Sequence, residues 1–416
     1  MDILRFITAG SVDDGKSTLI GRLLHDSDAI LEDTLEAVAK ATKNKENGEI
    51  DLALVTDGLR AEREQGITID VAYKYFTTEK RKFIIAATPG HVQYTRNMVT
   101  GASNSQLAII LVDARHGVIE QTKRHTFICA LLGIPHFVVC INKMDLVDYK
   151  EEAFQQIVSD YQQFSAPLGL KDVAFIPISA LKGDNVVNNS ERMHWYKGKP
   201  LLQYLEEVPL ADDIELSKAR FQVQYVIRPQ TEALHDYRGY AGKVLSGVYK
   251  VGDRVNVLPA GNTSTIQRLE FNQKTKEEAF APMSIIMHLA DDIDISRGDT
   301  IAKADDLPTV TQEVEAQLCW MDTRPLVVGG KYLLQQNSCL TPCVIKEVIH
   351  QTDVHTLQDD PEATQLQLND IGKVLIKTAN EICVDLYKEI RSNGAIIIID
   401  PRNNSTVAAG MIATAF

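Results

Sequence analysis

No apolar run in the 416 residues approaches the length that crosses a bilayer; the longest, 107–112 and 395–399, are strand-sized, where a helix needs ~20 residues. Met1 leads straight into a strand-like stretch, so no signal peptide is expected. Cysteine is sparse: Cys129, Cys140, Cys319, Cys339, Cys343 and Cys383 are scattered, and no second pair or histidine joins Cys339 and Cys343 in a zinc set. All six are expected to be reduced, mostly buried thiols, which points to a cytoplasmic location. Basic residues are outnumbered, 43 Lys and Arg against 56 Asp and Glu, a net charge of −13. A broad nucleic-acid surface is not expected. There is no tandem repeat of short period.

What remains is the composition of a globular protein, 44% hydrophobic and 24% charged, in a chain long enough for two or three domains. Up to about residue 210, near-continuous apolar runs at 83–86, 107–112, 137–141 and 173–178 alternate with helical patterns at 122–132 and 151–164. Strands buried on both faces of a parallel sheet read this way, so residues 1–210 are expected to form a doubly wound α/β domain. The long insertion between residues 27 and 70 has a helical pattern at 30–43, a polar break at 43–48 and a charge-dense stretch at 57–70. A connection of that length is expected to be functional. After residue 211, helix signals thin out. Short strands are expected at 221–228, 240–246, 254–258, 263–269 and 284–289, then at 314–320, 331–335, 343–350, 370–375, 381–384 and 394–399, with a loop over 351–365. Such spacing suggests two closed β-barrels, 211–307 and 308–416, joined near Leu307-Pro308-Thr309.

The chemistry starts at Gly10-Ser11-Val12-Asp13-Asp14-Gly15-Lys16-Ser17, which fits the phosphate-loop pattern at every fixed position and sits between a strand signal and a helix signal, with Thr18 continuing the helix. Gly10 and Gly15 let backbone N–H groups turn inward to phosphate oxygens. Lys16 would reach the terminal phosphates and the Ser17 hydroxyl would bind Mg²⁺. No second such loop occurs in the chain. Asn142-Lys143-Met144-Asp145 follows the run at 137–141 and matches the pattern that selects guanine. The Asp145 carboxylate can accept from guanine N1–H and the 2-amino group; adenine offers neither donor there. Asn142 would support the loop and approach N7, and the Lys143 stem would cover the base. Ser179-Ala180-Leu181 fits a third base-contacting segment.

Two further segments complete the set. Glu64-Gln65-Gly66-Ile67-Thr68-Ile69-Asp70 looks like the first switch of translation-factor GTPases, with Thr68 supplying a hydroxyl to Mg²⁺ and an N–H to the γ-phosphate. Ala87-Thr88-Pro89-Gly90-His91 would be the second switch, with the Gly90 N–H on the γ-phosphate and His91 orienting the attacking water. Val12 and Ile67 would form the apolar gate that His91 passes.

The order and spacing of these motifs resemble the elongation factor Tu-like GTPase superfamily. Longer runs resemble the GTPase subunit of sulfate adenylyltransferase more narrowly. They are residues 10–25, residues 57–73, Gln93-Tyr94-Thr95-Arg96-Asn97-Met98, residues 142–149, Tyr237-Arg238-Gly239-Tyr240-Ala241-Gly242 and Asp294-Ile295-Ser296-Arg297-Gly298-Asp299. The resemblance implies a GTP- and Mg²⁺-dependent subunit that pairs with a smaller catalytic subunit of the ATP-pyrophosphatase type. Together they would make adenosine 5′-phosphosulfate and pyrophosphate from ATP and sulfate. The alternative is an elongation-factor-like GTPase that binds aminoacyl-tRNA or the ribosome; a non-hydrolysing regulatory subunit is a third reading. Arg96 and Arg238 are candidate interface residues. A fused adenylylsulfate kinase domain, present in some relatives, is not expected.

The chain departs from the family at two places. The family's second switch begins Asp-Thr-Pro-Gly-His, where this chain has Ala87. Losing the aspartate that holds a Mg²⁺-bound water predicts weakened turnover, as such losses cost ~10–100-fold. Asp113 is a conceivable substitute, with turn formation the competing role. Val92 stands where many relatives have glutamate.

Overall fold

The computed structural model describes residues 2–27, 29–30, 52, 70–91, 94–170, 172–210, 215–229, 237–354 and 356–416. The chain separates into two compact units, one holding residues 1–210 with 354–357 and the other holding the rest. The helix expected over 30–43 and the first switch, including Ile67 and Thr68, fall almost wholly outside the described residues, as do Val92 and Gln93.

In the first unit, a six-stranded sheet runs in the order β2-β3-β1-β4-β5-β6. Its strands are β1 (Ile3–Ala9), β2 (Ala72–Thr77), β3 (Lys82–Ala87), β4 (Leu107–Asp113), β5 (His136–Asn142) and β6 (Asp172–Pro177). All neighbours are parallel except β2, which lies antiparallel to β3 at one edge. Every residue of β4 and β5 is buried, and their near-continuous apolar sequences suit strands with helices on both faces. The described helices are α1 (Lys16–Asp26), α2 (Thr95–Ser103), α3 (Glu120–Leu131), α4 (Glu151–Ser165) and α5 (Leu201–Glu207). Leu19, Ile20, Leu23 and Leu24 of α1 recur at helical spacing and pack on Leu4, Phe6, Phe83 and Ile85. No described helix is long and apolar enough to cross a membrane.

The register sets up the site. Thr8 of β1 pairs with Ala87 of β3, and Asp113 of β4 with Asn142 of β5. The phosphate loop, the second switch, the Asn142–Asp145 segment and the Ser179–Leu181 segment therefore all leave the sheet at the carboxyl ends of parallel strands, where α/β sheets bind ligands.

The second unit contains two barrels. The first closes as a ring of β10 (Arg254–Leu258), β15 (Thr300–Lys303), β7 (Arg220–Ile227), β8 (Gly239–Ser246), β14 (Ser284–Leu289) and β11 (Asn262–Phe271), with β11 pairing back onto β10. β12 (Lys274–Lys276) extends β11, and β9 (Val248–Lys250) pairs with β13 (Glu278–Phe280). Alternate residues such as Phe221, Val223, Val255, Val257, Ile266 and Met287 fill its core. The second ring runs β17 (Lys331–Gln336), β21 (Ala395–Asp400), β22 (Ser405–Ala415), β16 (Thr309–Trp320), β20 (Ile371–Val384) and β18 (Cys339–Thr352), closed by β17 on β18. Closure removes the exposed edges that open sheets carry.

The second barrel departs from sequence expectation in three ways. The strands expected at 370–375 and 381–384 are one strand, β20, because its register on β16 shifts at Thr311/Glu313 and lets it bend without breaking. Part of the expected loop over 351–365 pairs instead, as β18 folds back on β19 (Asp359–Asp360). The last strand, β22, gave no separate signal: its alanine-rich sequence has weak strand propensity. All six cysteines are free, five buried and Cys339 half-buried.

Candidate functional site

β1 ends at Ala9 and α1 begins at Lys16, so the residues between them form a loop over a helix N-terminus. Gly15 adopts φ 93°, the left-handed region. A Cβ there would lie 2.4 Å from Asn142 Nδ2, so both backbone and space demand glycine. The first-turn N–H groups of α1, at Lys16, Ser17 and Thr18, have no intrahelical partner and make a ready anion site. The first i to i−4 bond runs from Leu19 N to Gly15 O, 2.9 Å. Ser17 and Thr18 are half-buried; Val12 and Asp13 are exposed.

Lys16 is buried, and its Nζ donates to Gly10 O (3.0 Å) and Ser11 O (2.7 Å). Burial pushes its ammonium down to about 8, against the opposing pull of Asp14 and Asp13. The second switch rests on this lysine: a Cβ on Gly90 would fall 2.4 Å from Lys16 Nζ and 2.7 Å from Gly10 O. Thr88 is buried and donates to Thr8 O at 2.7 Å, fixing the strand end that leads to Pro89 and Gly90. His91 is exposed, with its ring 6.1 Å from that of Tyr94.

The base end is assembled by Asn142. Its Nδ2 donates to Asp14 O (2.7 Å) and its Oδ1 accepts from Ala180 N (2.9 Å), so one buried amide ties the phosphate loop to the Ser179–Leu181 segment. Oδ1 and one Nδ2 hydrogen are engaged within the protein, as loop support requires, and the NH2 group has a second hydrogen to donate. Lys143 sits at φ 63°, and Met144 N donates to Ile178 O. Ser179 Oγ donates to Asp145 Oδ1 at 2.6 Å and orients the half-buried carboxylate. Ala180 is buried and Leu181 is 49% exposed.

Sequence reasoning missed Arg22. One helical turn and a half beyond Lys16, it donates Nε to Ala180 O (3.1 Å) and Nη2 to Leu181 O, holding the base segment from α1. Nothing local marks an arginine on a helix as a clamp for a loop far along the chain.

Guanine nucleotide fits these residues: a loop whose Gly15 admits no side chain, a buried lysine and an oriented carboxylate at the other end. The two residues expected to hold Mg²⁺ are Ser17, half-buried at the start of α1, and Thr68, outside the described residues. Among the described residues no three His, Cys, Asp or Glu cluster as a metal set. Ala87 is buried beside Thr8, whose Oγ1 is itself buried without a partner, and offers no acceptor there. Asp113 is already engaged by Arg115 and Lys143. Although burial raises its pKa, hydrogen bonds from the Arg115 side chain and backbone and from Lys143 hold it well below the usual carboxylate range. Its bonds to Arg115 N (2.9 Å) and Lys143 Nζ (2.9 Å) make it a turn former and an anchor for Lys143.

The elongation factor Tu GTP binding domain family matches residues 1–219. A sulfate adenylyltransferase subunit 1 from Cellvibrio japonicus is 54% identical over 413 residues, 99% of this chain and 86% of that protein. The chain belongs to the sulfate adenylyltransferase subunit 1 family. Another relative in that family's range, the bifunctional enzyme CysN/CysC of Mycobacterium tuberculosis, is 53% identical over 99% of this chain and 67% of its own length. The family assignment extends through the second barrel, where the GTP-eEF1A C-terminal domain-like family matches residues 313–413.

The two interface candidates sit differently. Arg96 is exposed on α2. Arg238 pairs with Asp292 and lies over the Tyr240 ring at 5.8 Å, inside a cleft of about 760 Å³ on the first barrel.

Proposed function

We propose that this chain is the GTP-hydrolysing regulatory subunit of a two-subunit ATP sulfurylase. In this role it couples GTP hydrolysis to synthesis of adenosine 5′-phosphosulfate and pyrophosphate from ATP and sulfate by a smaller, ATP-pyrophosphatase-like catalytic partner. The observation that carries the nucleotide half is the Asn142 amide bridging Asp14 and Ala180, which builds phosphate and base ends as one unit. The sulfate half rests on family membership.

In this reading Lys16 and the α1 N-terminus hold the β- and γ-phosphates, and Asp145, oriented by Ser179, accepts from guanine. Gly90 reports the terminal phosphate, and His91 positions the attacking water. Ser17 and Thr68 would hold Mg²⁺, which supplies charge neutralisation on the phosphates. Coupling follows if phosphate-dependent ordering of the Thr68 and Gly90 segments alters the surface offered to the partner.

The test is reconstitution. Co-purification with a small ATP-pyrophosphatase-like subunit, and phosphosulfate formation that rises with GTP, are expected. Stable aminoacyl-tRNA binding without such a partner would replace this reading with an elongation-factor-like one. A second expectation concerns position 87: Ala87→Asp should raise Mg²⁺-dependent GTP turnover by about 10–100-fold. Equal turnover in both proteins would show that this position does not limit hydrolysis.

A further inference from the structure

The Gly10–Ser11 peptide is gripped from both sides. Lys16 Nζ takes the Gly10 carbonyl at 3.0 Å, and Asp14 Oδ2 accepts the Ser11 N–H at 2.5 Å. In a trans peptide the C=O and the N–H point in opposite directions, so the two side chains fix the plane between them. Lys16 also takes the next carbonyl, Ser11 O, at 2.7 Å. Asp14 is 4% exposed, and its own carbonyl receives the Asn142 amide. Gly10 makes room for it: a Cβ there would lie 3.1 Å from Asp14 Oδ2 and 3.0 Å from Leu111 O.

A carboxylate is an odd residue to bury beside a polyphosphate. Burial raises its pKa, while the Ser11 N–H, Lys16 and Lys143 pull it down and Asp113 pushes it up. Its charge opposes the ligand but supports the Lys16 ammonium, and it also places an acceptor on the Ser11 N–H; these are two separable contributions. Rotation of the Gly10–Ser11 plane would aim a carbonyl oxygen at the phosphates and release Lys16 from its anchor.

We propose that Asp14 is a positioning residue that locks the Gly10–Ser11 peptide so that the phosphate loop accepts a nucleoside polyphosphate. This role rests on the guanine-nucleotide reading above. The replacements separate geometry from charge: Asp14→Asn keeps an acceptor in place without charge, whereas Asp14→Glu keeps the charge but cannot set its oxygen at the same spot against Gly10.

The experiment is titration of fluorescently labelled GDP into the full chain, with thermal unfolding of each variant in parallel. Asp14→Asn is expected to bind within about threefold of the wild type, or more tightly. Asp14→Glu is expected to weaken binding by about 10–100-fold, the loss of a charge-assisted hydrogen bond. Should Glu disturb folding, Asp14→Ala adds no bulk and carries the same expectation. Asn as weak as Glu, or Glu and Ala as tight as wild type, would overturn the role while leaving the nucleotide reading intact. Wild-type protein that binds no GDP would overturn both.

Discussion

Residues in this site are legible from sequence where backbone geometry restricts them, and illegible where their partner is distant. Gly10, Gly15 and Lys16 were readable because only those residue types do their jobs at that spacing. The bridging of Asp14 and Ala180 by Asn142, and the Lys143–Asp113 ion pair, depend on the β1-β4-β5-β6 order of the sheet, which no local pattern encodes. His125 on α3 belongs to the second kind. It is buried with Nδ1 unpartnered. Burial, then the fields of Lys16 and Arg124, hold its pKa down at about 3. The unfolded chain takes up a proton near the ordinary histidine value of about 6.5 that the fold refuses. Stability is therefore full above about 6.5 and falls as pH drops toward about 3. Urea unfolding at about pH 7 and about pH 5 should show a loss near 2 kcal/mol from this group. His125→Leu should remove that part of the slope; an unchanged slope would mean that the histidine is protonated in the fold.

At the scale of elements, the parallel sheet was visible as alternating apolar runs, and the phosphate loop and the Asn142–Asp145 and Ser179–Leu181 segments were expected to follow strands. The parallel register then brings their ends together. What stayed hidden is that α1 reaches both expected ends of the site: it follows the phosphate loop, and its Arg22 clamps Ala180 and Leu181. Arg22→Ala should weaken GDP binding by about 10-fold, as expected for losing hydrogen bonds from a charged donor, with a change in unfolding free energy below about 1 kcal/mol because the side chain is partly exposed. Labelled-GDP titration and urea unfolding check the two halves. The opposite pattern, intact binding with lost stability, would make Arg22 a packing residue only.

Across the second unit, alternating strands announced the two barrels, but not every strand followed from sequence: β15 and β22 were unmarked, and β20 was read as two strands. The join between the barrels is polar and buried. Arg220, 1% exposed on β7, donates to both oxygens of Asp385 (2.8 and 2.9 Å), while Asn393 donates to the same carboxylate. A buried, bidentate pair between long-separated residues leaves no sequence trace. Arg220→Ala should cost about 3–5 kcal/mol, because it strands the Asp385 charge; denaturant unfolding of the full chain measures it. A cost under about 1 kcal/mol would mean that water reaches and solvates the carboxylate.

The proposed function has the first unit select guanine nucleotides through one connected site. Competition binding tests that selection most directly. Unlabelled GTP and GDP should displace labelled GDP from the purified chain, while ATP at about 100-fold excess should not, given that a site built for guanine donors rejects a base lacking them. Displacement by ATP as readily as by GTP would contradict the account.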